Sequence, residues 1–130
     1  MALPDPWTVP VPHPPHVRLG ALLSARLDRA GDAVTLVLTG EFDLAGVAPF
    51  TELVEGIEAT GPNTLVLDVS GLDFLDSSGM RQVYDAHVRA EGRYAFGVVL
   101  GTGPAFRSLA LAGLDQALTV VASAQEMSAA

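Results

Sequence analysis

The chain has 130 residues, 49% of them hydrophobic, a formal net charge of −8 and no cysteine. That length fits one domain with its own core, and the missing cysteines exclude a disulfide framework, a thiolate nucleophile and a cysteine metal site. The acidic balance argues against a general nucleic-acid surface, which needs clustered cations, and suits a partner carrying a basic patch.

No apolar run approaches the ~18–20 residues that span a bilayer. The start of the chain lacks the basic and apolar regions of a signal peptide. The expectation is a cytoplasmic protein without membrane insertion.

Residues 1–17 contain Pro4, Pro6, Pro10, Pro12, Pro14 and Pro15. Such a segment favours polyproline II over helix or sheet and reads as a flexible arm. Trp7 within it is weak evidence for a partner anchor. His13 and His16 have no Cys or acidic partner at ligand spacing, so no metal site is expected.

Residues 22–27 give a weakly patterned first strand, and Arg29-Ala30-Gly31-Asp32 a hairpin turn. Residues 34–39 form a second strand rich in β-branched side chains, closed by Gly40-Glu41-Phe42-Asp43. Val47, Phe50, Val54 and Ile57 then recur at helical spacing. Pro49 sits in the first turn and Gly61-Pro62-Asn63 ends the helix.

Leu65, Val66, Leu67 and Val69 make a nearly continuous apolar run, as in a strand covered on both faces. Beyond Asp76-Ser77-Ser78-Gly79, a second helix is predicted with Met80, Val83, Tyr84, His87 and Val88 on its buried stripe. His87 is there a packing residue, not a catalytic one. Residues 94–100 form another strand. Gly101-Thr102-Gly103-Pro104 breaks the chain, and Phe106, Leu109, Ala110 and Leu114 mark a third helix, interrupted near Gly113. Residues 118–121 give a short last strand, and the tail after Ala122 is expected to fray.

The predicted order is β-β-α-β-α-β-α-β: a single α/β domain whose mixed, mostly parallel sheet starts with an antiparallel hairpin. Helices should start near Val47, Ser78 and Pro104. Leu36, Leu38, Phe50, Val54, Leu65, Leu67, Val83 and Val98 should be in the core.

Enzyme signatures are missing. Gly101-Thr102-Gly103 is no phosphate loop, because the pattern needs a lysine and the sequence has none. Pro104 and Phe106 break a dinucleotide-binding pattern. Glu41, Asp43, Asp73 and Asp76 are acids in loops at one sheet end, but no histidine or lysine accompanies them for acid–base work. Ser77 and Ser78 lack a base and a nucleophile elbow. No catalytic residue, cofactor or metal is expected. The two hydroxyls at a strand-to-helix junction are then either helix caps or acceptors for a phosphate, which the helix N-terminus would receive well.

Three segments in order carry a resemblance: Leu38-Thr39-Gly40-Glu41-Phe42-Asp43; Leu65-Val66-Leu67-Asp68-Val69-Ser70-Gly71-Leu72-Asp73-Phe74-Leu75-Asp76-Ser77-Ser78-Gly79; and Arg107-Ser108-Leu109-Ala110-Leu111-Ala112-Gly113-Leu114. The pattern resembles the STAS domain of bacterial anti-anti-sigma factors. It covers residues 20–123, between the arm at 1–17 and a tail at 124–130.

The resemblance implies a non-enzymatic binding module. Its partners would be an anti-sigma factor that is also a serine kinase, so that a sigma factor is freed, and a serine phosphatase that reverses the modification. It places the phosphoacceptor at Ser77, the hydroxyl after the motif's Asp, with Ser78 as second candidate. It draws the partner-binding face from Glu41, Phe42, Asp43, Asp76, Ser77, Ser78, Gly79, Met80 and Arg81. Phe42 stands where the family has Leu, and Arg81 where many members have a small residue. The alternatives are an adaptor subunit of a stress-sensing or transport complex and, behind it, a small-ligand carrier or enzyme.

Overall fold

The computed structural model describes residues 16–128; the Pro-rich segment up to Pro15, with Trp7 and His13, lies outside the described residues. Three strands come first: β1 (His16–Arg18), β2 (Leu23–Ala30) and β3 (Ala33–Phe42). A 3₁₀ turn (Leu44–Gly46) leads into α1 (Val47–Glu58), followed by β4 (Thr64–Leu75), α2 (Ser77–Ala90), β5 (Ala95–Val99), α3 (Pro104–Leu111) and α4 (Ala124–Ser128). The sheet order is β1-β2-β3-β4-β5. β1, β2 and β3 pair antiparallel, whereas β3, β4 and β5 run parallel. This is the expected α/β domain with a mixed sheet, and helices start at Val47, Ser77 and Pro104.

The hairpin turns at Gly31 and Asp32, where β2 hands over to β3 through the pair Ala30↔Ala33. Two ladder irregularities, between Val37 and Thr39 and between Gly40 and Glu41, let β3 follow β4 to its end. Both strands therefore run on into the motifs, reaching Phe42 and Leu75, beyond the bounds the periodicity suggested. Gly40 sits at the second irregularity and against the start of β2. Its φ is +96°, and a Cβ there would lie 2.0 Å from the Leu22 carbonyl oxygen, so a side chain is excluded on both counts.

One hydrophobic cluster joins the sheet to α1, α2 and α3, and all eight core residues expected from the sequence belong to it. Val66 is also fully buried, but outside that cluster. It pairs beside Gly97, on the face opposite Leu65 and Leu67. Val121 and Met127 close over Gly97 there, both within 3.1 Å of where a Cβ would stand.

The two ends of the chain differ from expectation. His16 and Val17 belong to β1, not to the arm, because the ladder with Arg26 and Ala25 holds them. The predicted last strand is one bridge, Val98↔Val120, although Leu118 and Val121 are buried. The tail does not simply fray: residues 124–128 form α4, Met127 fills the space left by Gly97, and the Glu126 carboxylate accepts from the Ala122 N–H at 2.6 Å.

The second helix also turns differently. Its buried residues are Gly79, Val83, Ala86 and Ala90, while Tyr84 and Val88 are exposed. Small residues let the helix lie close on the sheet, so size and not hydrophobicity alone chose its inner face. His87 is a partly exposed packing residue, its ring 6.3 Å from that of Phe96 and 3.9 Å from the Glu91 carboxylate.

A polar cluster ties α1 to the end of α2 and the start of β5. The Glu58 side chain, 5% exposed, accepts hydrogen bonds from Arg89, from Arg93 at 3.1 Å and from the Tyr94 hydroxyl at 2.7 Å. Burial pushes the Glu58 carboxyl up, but the bonds from Arg89 and Tyr94 and the charges of Arg89 and Arg93 outweigh it and hold the group below its ordinary range. Burial, and then the bond to Glu58, push the Tyr94 phenol well above its ordinary value.

Candidate functional site

The parallel strands β3 and β4 end side by side, with Glu41 beside Phe74 and Phe42 beside Leu75. The two motif loops leave from there, and the Asp76 N–H bonds to the Phe42 carbonyl at 3.2 Å. Each loop is closed by its own aspartate. The Asp43 carboxylate accepts from the Ala45 N–H at 3.1 Å and starts the 3₁₀ turn. The Asp76 carboxylate accepts from the Gly79 N–H at 2.9 Å and is the N-cap of α2. An aspartate at this position is a strong cap.

That assignment settles what the two serines are not. The cap is a carboxylate, so neither hydroxyl serves as one. Ser77 and Ser78 are the first two helical residues; Ser77 is exposed and Ser78 half-buried. The first-turn N–H groups and the helix dipole lie beside them.

Ser77 also lines an open groove of about 250 Å³, with Met80, Arg81 and Tyr84 from α2 and Ala112 and Leu114 from the turn after α3. The groove is mostly apolar, and Arg81 is its one cation among the described residues. Ala112, Tyr84 and Leu114 were not among the site residues inferred from sequence. Helical spacing alone puts Tyr84 on the buried stripe of α2, and Leu114 comes to the site only through the fold.

The other shoulder of the site holds Glu41 and Asp43, which line a small hollow with Leu22 and Ala45. Leu44 is 73% exposed, Leu22 53% and Phe74 46%, so large apolar side chains ring this sheet end beside the acids. Asp73 is exposed as well.

Seven of the nine inferred face residues reach the surface at least in part. The two others do not. Phe42 is fully buried, its ring 5.0 Å from that of Phe50. Gly79 is buried too: a Cβ there would stand 2.6 Å from Leu75 Cδ1 and 2.8 Å from the Phe42 carbonyl oxygen. Both shape the site from beneath. Among the described residues, no three His, Asp or Glu side chains gather to hold a metal ion. No described helix is long and apolar enough to cross a membrane.

Residues 25–122 match the family model described as Mlab, STAS domain. The chain belongs to the STAS domain family. Within that family it is 34% identical, over 89 residues, to the anti-sigma-F factor antagonist RsfB of Mycobacterium tuberculosis; the match covers 68% of this chain and 72% of that one. This STAS domain also has the fold of an anti-sigma factor antagonist from Mycobacterium paratuberculosis, with a TM-score of 0.71, 24% identity and coverage of 80% and 89% of the two chains. The anti-sigma factor antagonist SpoIIAA, in its unphosphorylated form, superposes with a TM-score of 0.63 at 19% identity, covering 79% of this chain and 92% of that one. These relatives are regulators by name, not enzymes.

Proposed function

We propose that this STAS domain is an anti-sigma factor antagonist, present in the cytoplasm. It binds an anti-sigma factor that is also a serine kinase, frees a sigma factor, and is switched off by phosphorylation of Ser77. A serine phosphatase resets it. The observation that carries the reading is the division of labour in the first turn of α2. Asp76 does the capping, which leaves the Ser77 hydroxyl exposed at the mouth of an apolar groove.

In the switch, the Ser77 oxygen takes the γ-phosphoryl group of ATP, ADP leaves and the hydroxyl proton is released. The phosphate adds a charge of about −1.5 to −2 at neutral pH. It lands next to Asp76, with Glu41 at the end of the neighbouring strand and Asp43 just beyond it. The helix N-terminus offsets part of that charge. A partner surface packed over the hydroxyl must accommodate both volume and charge, so the interface is blocked locally and the domain does not refold.

Incubation with the partner kinase and ATP should label the wild type but not Ser77→Ala. Undiminished labelling of that variant, mapped to Ser78 or elsewhere, would refute the assignment. Ser77→Asp should weaken binding at least tenfold, or ~1.4 kcal/mol, with the melting temperature nearly unchanged, and Ser77→Ala should bind but resist switching off. Equal affinity of the wild type and of authentically phosphorylated protein rules the mechanism out. A chain that binds no anti-sigma factor but co-purifies with a transport or stress assembly would instead be an adaptor.

A further inference from the structure

Arg81 stands four residues after Ser77 and lines the same groove. We propose that Arg81 is the internal counter-ion of a phosphate on Ser77, and that modification makes it exchange Asp85 for the phosphate. The proposal rests on the reading above only in taking Ser77 as the modified residue.

Helical residues four apart carry their Cβ atoms about 5–6 Å from each other, well within the reach of a guanidinium. Arg81 is now paired with Asp85, its Nε 3.3 Å from Oδ1. The Arg81 side chain is 75% exposed and that of Asp85 44%, and a pair so open to water is weak.

Three differences favour the phosphate over Asp85. It carries up to about twice the charge. Its oxygens accept a guanidinium in bidentate fashion, with charge-assisted bonds. It also lies on the N-terminal side of the arginine, the better order for an acid–base pair four apart, whereas Asp85 lies on the C-terminal side. Phosphorylation would then move two side chains of the groove: it charges Ser77 and withdraws Arg81 from an approaching partner.

The test uses protein with phosphoserine genetically encoded at position 77, so that no kinase is needed. The second ionisation of the phosphate is followed by ³¹P NMR in the wild type and in Arg81→Gln. Asp73, Asp76, Glu41 and Asp43 raise that pKa in both proteins and cancel in the comparison. Loss of Arg81 should raise the midpoint by roughly 0.3 unit, the scale of one exposed helical ion pair. The Arg81 Nε–H resonance of the wild type should also shift on modification. Equal midpoints in the two proteins overturn the proposal. Failure of the partner kinase to label Ser77 in unmodified protein would count against the proposed function, while the NMR comparison would still decide the ion pair.

Discussion

At the scale of single residues, Asp76 and Gly79 hold the first turn of α2 by different means. Asp76 supplies an acceptor for the Gly79 N–H, and Gly79 supplies the absence of a side chain where the helix meets the end of β3. Removing the cap with Asp76→Ala should cost ~1 kcal/mol. Gly79→Ala should cost more, roughly 1–3 kcal/mol, because one of the atoms its Cβ would strike is the Phe42 backbone oxygen, which cannot rotate aside. Chemical denaturation of the two variants checks both values, and a Gly79→Ala protein as stable as the wild type would show that the helix can move away from the strand. The aspartate and the glycine were both visible in the sequence. Their division of labour with Ser77 was not, because a serine and an aspartate cap equally well in isolation and only the fold decides which one does.

At the scale of elements, the legible ones were those whose side chains match one simple environment. β4 reads as a strand because Leu65, Leu67 and Val69 fill the main core while Val66 fills the opposite face. Leu67→Ala should therefore cost ~2–5 kcal/mol, and a melting curve shifted by less than a degree would contradict its burial. β1 was illegible because His-Val-Arg has no pattern of its own and is held by β2. The stripe of α2 was misread because Ala86 and Ala90 face the sheet where Tyr84 and Val88 had the stronger hydrophobic signal.

The Glu58 cluster was hidden for a related reason. Its acid and its two arginines look like solvated charges until α1 meets α2. Glu58→Gln should destabilise the protein by ~1–3 kcal/mol near neutral pH, since it weakens three hydrogen bonds to a charged acceptor whose arginine partners are partly screened by water. The Glu58 carboxyl is held below its ordinary value of 4.5 when folded. The unfolded state therefore takes up the proton first, so this contribution is complete above that ordinary value and fades as pH falls through the lowered folded one. The stability gap between wild type and Glu58→Gln should shrink on acidification, and a gap independent of pH would show that Glu58 titrates alike in both states.

At the scale of the whole molecule, the scaffold and the candidate partner face occupy different places. The core fills the space between the sheet and its helices, and Glu41, Asp43 and Asp76, the exposed Leu22, Leu44 and Phe74, and Ser77 gather where β3 and β4 end. Substitutions can therefore separate binding from folding, and α2 offers a controlled pair. Tyr84 lines the groove that begins at Ser77; Val88, one turn further along, does not. Both are exposed apolar side chains on the same helix, 37% and 44% respectively. Truncating either should leave the melting temperature close to that of the wild type, since surface changes of this kind rarely exceed ~0.5 kcal/mol. Only Tyr84→Ala removes an aromatic anchor from the groove, and such anchors carry ~1–2 kcal/mol or more at interfaces. Titration calorimetry against the anti-sigma partner should show Tyr84→Ala bound at least about tenfold more weakly, with Val88→Ala within twofold of the wild type. Equal losses in the two variants would point to the whole outer face of α2 instead of the groove. Equal affinities throughout would place the contact on the other shoulder, around Glu41, Leu44 and Phe74.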